Sequence, residues 1–452
     1  MKTQILIVIL LLISTLTFSQ EEQKSSDLRR VPMQFTLVTP PIGTNGIYFY
    51  KTINDVSVNT FLGVGAASEY LELSGFINAN RFYSNGVQAS GFMNISGFDK
   101  GAQEYSSAGA QVSGFMNING NDYKGLQWAG FANVNRNFDG FQVSGFMNLN
   151  RSANNSFLLA GFANINDSTE NSYQGAGFAN FSSRGTSRLQ LAGFGNFASD
   201  ITGVQGAGFG NWAKDVKGIQ GAGFANWSRD ISGIQGSGFA NFARDVKGVQ
   251  GSGFMNIARN VKGVQLSGFI NICDSIEGIP VSFISIVKKN GYRNFEISTT
   301  DWAPVQLTYR MGVEKFYSIY TFSKLTGGME RYALGFGFGH NSRLFDKTQL
   351  NIELTSHQEY VWGPGRWFLF YAEKYNNISQ LKIGIRRNLF KNIWVNAGPT
   401  LNLASSYYLP NTESFKGSDI KPYWNVKQNT YDRFPNWRNS FWVGFHVGLN
   451  LF

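Results

Sequence analysis

The chain has 452 residues, of which 52 are Gly and 15% are aromatic, whereas only 15% are charged. Soluble domains carry about a quarter charged residues, so this composition favours the strands of a membrane barrel over a soluble domain. The formal net charge of +10 comes from Lys and Arg scattered along the chain, which argues against nucleic acid as a partner. Cys273 is the one cysteine, so an internal disulfide is excluded.

The N-terminal segment predicts export. Lys2 precedes an almost unbroken apolar run from Ile5 to Leu16, and we interpret 1–19 as a cleaved secretory signal peptide. A polar lead-in, 20–32, follows. No later apolar run reaches the roughly 18 residues of a spanning helix. A mature chain that crosses a membrane must therefore cross it as a closed β-barrel, because only helices and barrels satisfy every backbone group in lipid.

A repeat dominates the middle of the chain. After predicted N-terminal strands in 33–74, the motif Gly-Phe-x-Asn occurs thirteen times within 75–278, at spacings of 15 or 16 residues and once of 23. Each copy contains a strand-like segment, such as 249–257, that splits by period two. One predicted face is apolar or small, and the other contains Gln250, Ser252, Phe254 and Asn256.

Two ways of stacking these strands are open, and geometry weighs them. A nine-residue strand spans roughly 30 Å, whereas a six-residue return reaches at most about 20–24 Å. A parallel solenoid therefore closes only if the Gly-x-Gly centre bends. We favour an antiparallel meander, in which Gly253 pairs with Gly268 and the polar face lines a lumen. That face is a candidate contact surface for glycans or solutes, and its clearest members are Gln205, Asn211, Gln220, Asn226, Gln235, Asn241, Gln250 and Asn256.

The C-terminal region, 279–452, predicts longer and more varied strands. We expect them at 279–287, 292–299, 304–312, 315–323, 330–339, 348–357, 378–387, 393–404 and 439–451. The two long connections, 358–377 and 405–438, follow the sixth and eighth strands and so emerge on the same side. Long loops on one side and tight turns on the other are typical of outer-membrane barrels.

The last strand and the long connections point to partners. The strand 439–451 alternates apolar residues and is followed by Phe452, which resembles the C-terminal assembly signal of outer-membrane barrels, although Phe452 is out of phase with the alternating set. The resemblance implies the outer-membrane assembly machinery as a partner.

The two long connections contain aromatic residues and Arg. Exposed aromatics with Arg carry binding energy at interfaces, but an aromatic girdle at the membrane interface or a loop folded back over the barrel mouth explains these residues equally well. The candidate ligand-contact residues are Trp362, Arg366, Trp367, Tyr407, Tyr408, Tyr423, Trp424 and Trp437.

Signals for catalysis are weak. The three histidines, His340, His357 and His446, lack metal-ligand spacing. The glycine-rich segment 335–339 lies within a strand pattern with no helix after it, whereas a phosphate loop needs a helix N-terminus. We therefore predict no cofactor, no metal, no catalytic residue and no enzymatic activity.

The Gly-Phe-x-Asn array resembles the surface-repeat proteins typified in Leptospira and widespread in Bacteroidetes. The resemblance covers 70–275 and extends to the lead-in Pro41-Ile42-Gly43-Thr44-Asn45-Gly46 and the exit segments 279–283 and 289–292. It implies a surface location and leaves the activity open.

These observations predict an all-β protein, a large antiparallel meander barrel of the outer membrane with strands numbering in the low to mid twenties. The alternative is a repeat solenoid or sheet followed by a smaller C-terminal barrel. We expect a non-catalytic outer-membrane or cell-surface protein acting as a passive pore, with an adhesin or glycan-binding protein as the alternative. The expected partners are outer-membrane lipid, the assembly machinery, and surface glycans or small solutes.

Overall fold

The protein is all β, and its strands form two architectures. The structure, a computed structural model, describes residues 27–40, 42–325, 330–362, 376–390, 393–407, 425–431 and 434–451. The expected large antiparallel meander is wrong, and the alternative is confirmed: a parallel β-solenoid of about 15 turns precedes a closed barrel of eight antiparallel strands. Within the described ranges, no helix has the length and apolar character needed to cross a membrane. The predicted signal peptide lies outside the described residues.

The chain divides into two compact units, which are described separately. The first contains residues up to 177 and 181–185, and the second contains 178–180 and 186–452. The solenoid also has two short 3-10 helices, Gly46–Lys51 and Lys100–Glu104. Its strands are β1 (Arg29–Val38), β2 (Ile42–Gly43), β3 (Thr52–Ser74), β4 (Ile77–Ser90), β5 (Met93–Ser96), β6 (Ser106–Ser113), β7 (Met116–Ala129), β8 (Ala132–Ser144), β9 (Met147–Ala160), β10 (Ala163–Ala176), β11 (Ala179–Ala192), β12 (Gly195–Ala207), β13 (Gly210–Ala222), β14 (Ala225–Ser237), β15 (Ala240–Phe242), β16 (Asp245–Ser252), β17 (Met255–Ser267), β18 (Ile270–Val281) and β19 (Ile284–Val287).

Successive turns of the solenoid stack in parallel and in register. Met255 of β17 pairs with Ile270 of β18, whereas the meander, with Gly253 opposite Gly268, required Met255 to face Leu266. The turn closes because the chain bends between β16 and β17. A Cβ built at Gly253 would lie 2.2 Å from the carbonyl oxygen of Gly238 one turn earlier, so the bend accepts only glycine there. The bend also interrupts the period-two alternation, which places Phe254 outside, away from Gln250 and Asn256.

Amide side chains fill the interior of each turn. In the second unit the Gln250 amide nitrogen donates to the side-chain oxygen of Gln235 at 2.9 Å. The Asn256 nitrogen donates to the side-chain oxygen of Asn271 at 3.0 Å and also to the backbone oxygen of Leu266 at 2.6 Å. One bond therefore runs along the stack, and the other joins the two halves of β17 across the interior of a single turn. Buried polar groups that are fully bonded in this way fix the register of the turns.

The remaining interior differs between the units. In the first unit a second Asn row accompanies the Gln row, with the Asn119 nitrogen donating to Asn135 at 3.0 Å and the Gln127 nitrogen donating to the same Asn135 oxygen at 3.0 Å. In the second unit, aliphatic and small side chains occupy the corresponding interior. The principal buried members are Ile201, Ala213, Val216, Ile231, Val246, Val261 and Ile276.

The one spacing of 23 residues in the repeat contains an inserted segment that does not disturb the stacking of the turns. The inserted segment forms the 3-10 helix Lys100–Glu104, and Asp99 caps it by accepting from the Gly101 backbone nitrogen at 3.3 Å. Arg81 of the preceding turn pairs with Asp99 at 2.6 Å. Both β5 and β6 then pair in parallel with β7, so the next turn resumes the regular register.

The C-terminal strands close into a barrel within the second unit. β20 pairs with its two neighbours and also with β28, with Phe295 opposite Leu451. Eight of the nine predicted C-terminal strands are barrel strands, whereas 279–287 belongs to the last solenoid turns. The strands are β20 (Tyr292–Thr300), β21 (Val305–Val313), β22 (Phe316–Lys324), β23 (Glu330–Phe345), β24 (Thr348–Trp362), β25 (Asn376–Phe390), β26 (Ile393–Tyr407), β27 (Asn425–Tyr431) and β28 (Phe434–Leu451); β27 pairs with β28 outside the closed ring.

Candidate functional site: the barrel and the exterior of the solenoid

Charged and polar side chains fill the barrel interior. The Arg310 guanidinium lies 2.5 Å from a Glu353 oxygen and 3.1 Å from a Glu296 oxygen, and all three side chains are buried. The Lys382 ammonium donates to the Gln306 side-chain oxygen at 2.5 Å. Arg310 and Lys382 thus balance the charges of Glu296 and Glu353 in this part of the interior. Eight-stranded barrels have an interior just wide enough for side chains, and these side chains occupy it.

Glycines of β23 make room for this network. The predicted wall segment 335–339 is part of β23, with its phenylalanines pointing out and its glycines pointing in. A Cβ at Gly335 would lie 2.3 Å from the His357 ring, and one at Gly339 would lie 2.3 Å from the Tyr317 ring. The Tyr317 hydroxyl donates to Glu353 at 3.1 Å. The glycines of β23 therefore leave the space that the large polar side chains of the neighbouring strands occupy.

The outer wall of the barrel is apolar. On β24 the outward Leu354 is 62% exposed, while the inward Glu353 and Thr355 are buried. The alternation predicted for the last strand is confirmed, because its apolar set is exposed and its polar and aromatic partners face inward. The outward residues of β28 are Phe441, Val443, Phe445, Val447, Leu449 and Leu451. An apolar exterior over a polar interior is the reverse of a soluble protein and is the pattern of membrane barrels.

The solenoid also has an apolar exterior, on one side of each turn. We define the apolar corner as the outward positions on both sides of the bend, represented by Val249, Gly251, Phe254, Met255 and Ile257. Their counterparts in other turns of the second unit include Ile234 at 50% exposure and Trp227 at 49%. Monomeric soluble proteins rarely carry a continuous apolar surface of this kind, so the apolar corner is a candidate interaction site.

Phenylalanine rings form a regular row along this corner. In the second unit the ring centroids of Phe224, Phe239 and Phe254 are 5.0 Å apart, with interplanar angles of 2–3°. Phe76, Phe92 and Phe115 stack in the same way within the first unit. Neighbouring rings cover each other's faces, so only the ring edges point outward. A sugar that stacks on an aromatic face therefore finds no free face along the row.

Basic side chains flank the apolar corner in the second unit. The first basic row follows the corner, and the second precedes it along each turn. The first basic row comprises Lys214, Arg229, Arg244 and Arg259, and the second comprises Lys217, Lys247 and Lys262. Between the rows, Asp230 accepts from Arg244 at 2.6 Å. The turns that hold these residues are thus amphipathic, with charged margins on both sides of the apolar corner. In the first row Arg229 and Arg244 also pair with Asp215 and Asp245.

The predicted polar repeat face lies inside the solenoid. Gln205, Gln220, Gln235 and Gln250 form one ladder, and Asn211, Asn226, Asn241 and Asn256 form the other. All eight side chains are at most 4% exposed. They hold the turns together and are inaccessible to a glycan or solute arriving from outside, so a contact surface at these positions is not available in this fold.

The predicted loop contacts fall mostly outside the described residues. Trp362, Tyr407 and Trp437 belong to the backbones of β24, β26 and β28, and their side chains are not described. Arg366, Trp367, Tyr408, Tyr423 and Trp424 lie outside the described residues. β24 and β26 run in the same direction, so the two connections do start at one end of the barrel.

Burial shifts the pKa of several ionisable groups in the solenoid, Glu72 and Cys273 among them. Glu72 occupies the Gln ladder of the first unit, and burial raises its pKa to about 7, against the lowering effect of hydrogen bonds from Gln88 and Asn80. Burial also raises the pKa of the Cys273 thiol to about 12. The thiolate is therefore scarce at neutral pH, and Cys273 is a packing residue of low reactivity.

The described residues bring no metal-ligating group of three or more His, Cys, Asp or Glu side chains together. His357 lies inside the barrel, 2.9 Å from the hydroxyls of Thr321 and Thr355. His446 is buried there too, whereas His340 is exposed.

Comparison of the chain with protein-family models, curated proteins and solved structures gave no match.

Proposed function

We propose that the protein is a non-catalytic component of the outer membrane, in which the C-terminal barrel spans the lipid bilayer and anchors the solenoid. The observation that carries this proposal is the inversion of polarity in the barrel. Glu353 is buried in the interior while Leu354, the next residue, is 62% exposed on the exterior. Apolar side chains on the exterior would contact the acyl chains of lipid, and the closed ring of strands leaves no unpaired edge in the hydrocarbon.

The export signal and the placement of the long connections support the outer membrane as the location. The segment 1–19 predicts secretion, and the sequence between β24 and β25 and between β26 and β28 is longer than the connections at the opposite end. We propose that the long connections face the cell exterior. The resemblance to surface-repeat proteins points the same way.

The filled interior favours an anchor over a passive pore. The pore interpretation depended on a lumen lined by repeat strands, and those strands form a solenoid instead. In the eight-stranded barrel, Arg310, Glu353 and Lys382 occupy the space through which a solute would pass. The alternative role as a glycan-binding surface loses support from the stacked Phe row, because its ring faces are covered.

A charge scan of the barrel exterior tests the proposal. Leu354→Arg places a cation at mid-height on the outer wall, where a lipid-facing Arg costs roughly 2–4 kcal/mol. We expect this variant to lose stability by that amount in phosphatidylcholine vesicles, measured by urea titration with heat-modifiable gel migration as the readout.

Leu344→Arg is the matched control. Leu344 is also outward and 45% exposed, but it is next to the last residue of β23, at the end with short turns. The cost of Arg falls to about 0–1 kcal/mol near the membrane interface. Equal tolerance of Arg at both positions would show that lipid does not cover the mid-height wall and would contradict the proposal.

A further inference from the structure

The last solenoid turn contacts the outer wall of the barrel within the second unit. The ring of Phe283, which ends the Phe row, lies 5.3 Å from the Tyr320 ring and 4.8 Å from the Phe336 ring. The Tyr320 hydroxyl also donates to the Phe283 backbone oxygen, and the Ser318 hydroxyl donates to the Ser282 backbone oxygen at 2.7 Å.

Tyr320 and Phe336 are outward residues of β22 and β23. Their neighbours Tyr317 and Thr321 point inward, where they bond to Glu353 and His357. Strand alternation therefore puts Ser318 and Tyr320 on the wall that faces lipid in the proposed function. The Phe row of the solenoid is continuous with that wall.

The contact fixes the height of the apolar corner relative to the barrel. Tyr320 lies five residues beyond the Glu314–Lys315 turn, roughly 16 Å along the strand at about 3.3 Å per residue. A tilt of about 40° reduces this to roughly 12 Å, about half of the apolar band of about 25 Å. Phe283 is thus at the depth of acyl chains, on the half of the barrel that carries the short turns.

The opposite side of the same solenoid turn is near the barrel rim. Glu277 and Asn290 line a common pocket with Glu314 and Lys315 of the turn between β21 and β22. Ile276 and Val313 belong to one buried cluster beneath it. The polar side of the turn therefore lies at the rim, while its apolar corner reaches the middle of the wall.

We infer that the solenoid turns of the second unit are themselves embedded in the membrane, with the apolar corner inserted among the acyl chains of the leaflet on the short-turn side of the barrel. The occupant of the apolar corner is lipid. This inference rests on the proposed function, because it takes its depth from a barrel that spans the bilayer. It adds that the repeats of the second unit lie along the plane of the membrane and insert into one leaflet, whereas the barrel crosses both.

The distribution of charge fits this placement. Interfacial amphipathic elements bury an apolar face about 5–10 Å into the headgroup boundary and carry Lys and Arg beside it. Lys217 and Lys247 on one margin lie where anionic headgroups would meet the edge of the inserted corner. On the other margin the Arg side chains alternate with Asp and pair with them, as Arg244 does with Asp230. Trp212 and Trp227, stacked at 5.2 Å next to the first basic row, have the interfacial position that Trp prefers.

Lipid-borne quenching of a site-specific fluorophore tests the inference. The background is Cys273→Ala, since Ala258 occupies the same interior position one turn earlier. Single cysteines replace Gly251, Lys247 or Leu354 and are labelled with an environment-sensitive dye. The full chain is then reconstituted in phosphatidylcholine–phosphatidylglycerol vesicles with brominated acyl chains. Gly251 and Lys247 lie on one strand, about 13 Å apart, and a Cβ at Gly251 meets no described atom within 4 Å.

We expect brominated lipid to reduce the fluorescence at positions 354 and 251 to about half, and to leave position 247 nearly unchanged, because only the first two reach acyl chains. Quenching at 354 without quenching at 251 would overturn the inference while leaving the barrel in the membrane. Absence of quenching at 354, in protein with heat-modifiable migration, would overturn the proposed function itself. Equal quenching at 251 and 247 would contradict the amphipathic orientation.

Discussion

Replacing Gly253 with Ala is expected to disrupt the solenoid turns around it, at a cost on the order of 3 kcal/mol, the upper end of the usual range for overpacking. The added Cβ would lie 2.2 Å from the Gly238 carbonyl oxygen. That oxygen belongs to the backbone of a stack of paired strands and cannot move aside as a flexible side chain could. Hydrogen exchange of the full chain in vesicles should show lost protection in peptides that cover 238–270.

Gly251→Ala is the control, two residues away on the same turn. A Cβ at Gly251 meets no described atom within 4 Å, and the same outward position holds Leu266 in the next turn. We therefore expect wild-type protection for this variant. If both variants exchange alike, the close approach of the backbones at the bend does not determine the fold of the solenoid.

Replacing Arg310 with Met is expected to destabilise the barrel by about 3–5 kcal/mol, the usual cost of leaving a buried charge without its partner. Arg310 pairs with both Glu296 and Glu353, so its loss leaves two buried carboxylates with Lys382 as the one remaining cation among the four groups. Urea titration of vesicle-reconstituted protein, followed by heat-modifiable migration, measures the loss.

The double variant Arg310→Met with Glu353→Gln restores equal numbers of opposite charges. We expect it to recover most of the lost stability, because a buried ion pair replaced as a whole is often nearly neutral. If the single variant is as stable as the wild type, or if the double variant is no more stable than the single, charge balance in the interior does not stabilise the barrel.

The barrel was largely predictable from the sequence, whereas the stacking of the repeats was not. In β28 the alternation of Phe441, Val443 and Phe445 with polar residues is a local signal that determines which side faces out. In the repeat the same local pattern is compatible with parallel and antiparallel stacking. The deciding contact, between Gly253 and the Gly238 carbonyl, exists only between turns and is invisible in a single strand.

One overlooked signal would have favoured the solenoid. Identical residues recur at fixed spacing, and identical residues meet directly only when turns stack in parallel and in register. Gln250 bonds to Gln235 and Asn256 bonds to Asn271 for this reason. A polar face that repeats one amide without variation therefore indicates an internal ladder more than an exposed binding surface.

The principal features of the candidate site were present in the sequence but were not combined. Glu296, Arg310 and Lys382 each stand in the polar set of a barrel strand that alternates polar with mostly apolar residues, which predicts a charged interior. Their pairing could not be read, because it depends on how the strands are ordered around the ring. The apolar corner was missed since the meander assigned Phe254 to the wrong face.

The central claim, that the barrel spans the outer membrane, is tested most directly by fractionating cells that express the full chain. We expect the protein in the outer-membrane fraction after high-salt and alkaline washing, with an unheated form that migrates faster than the heated form in gels. This result follows from a closed barrel with an apolar exterior, which detergent leaves folded until heated. Recovery of the chain in the soluble fraction, with identical migration before and after heating, would contradict the account.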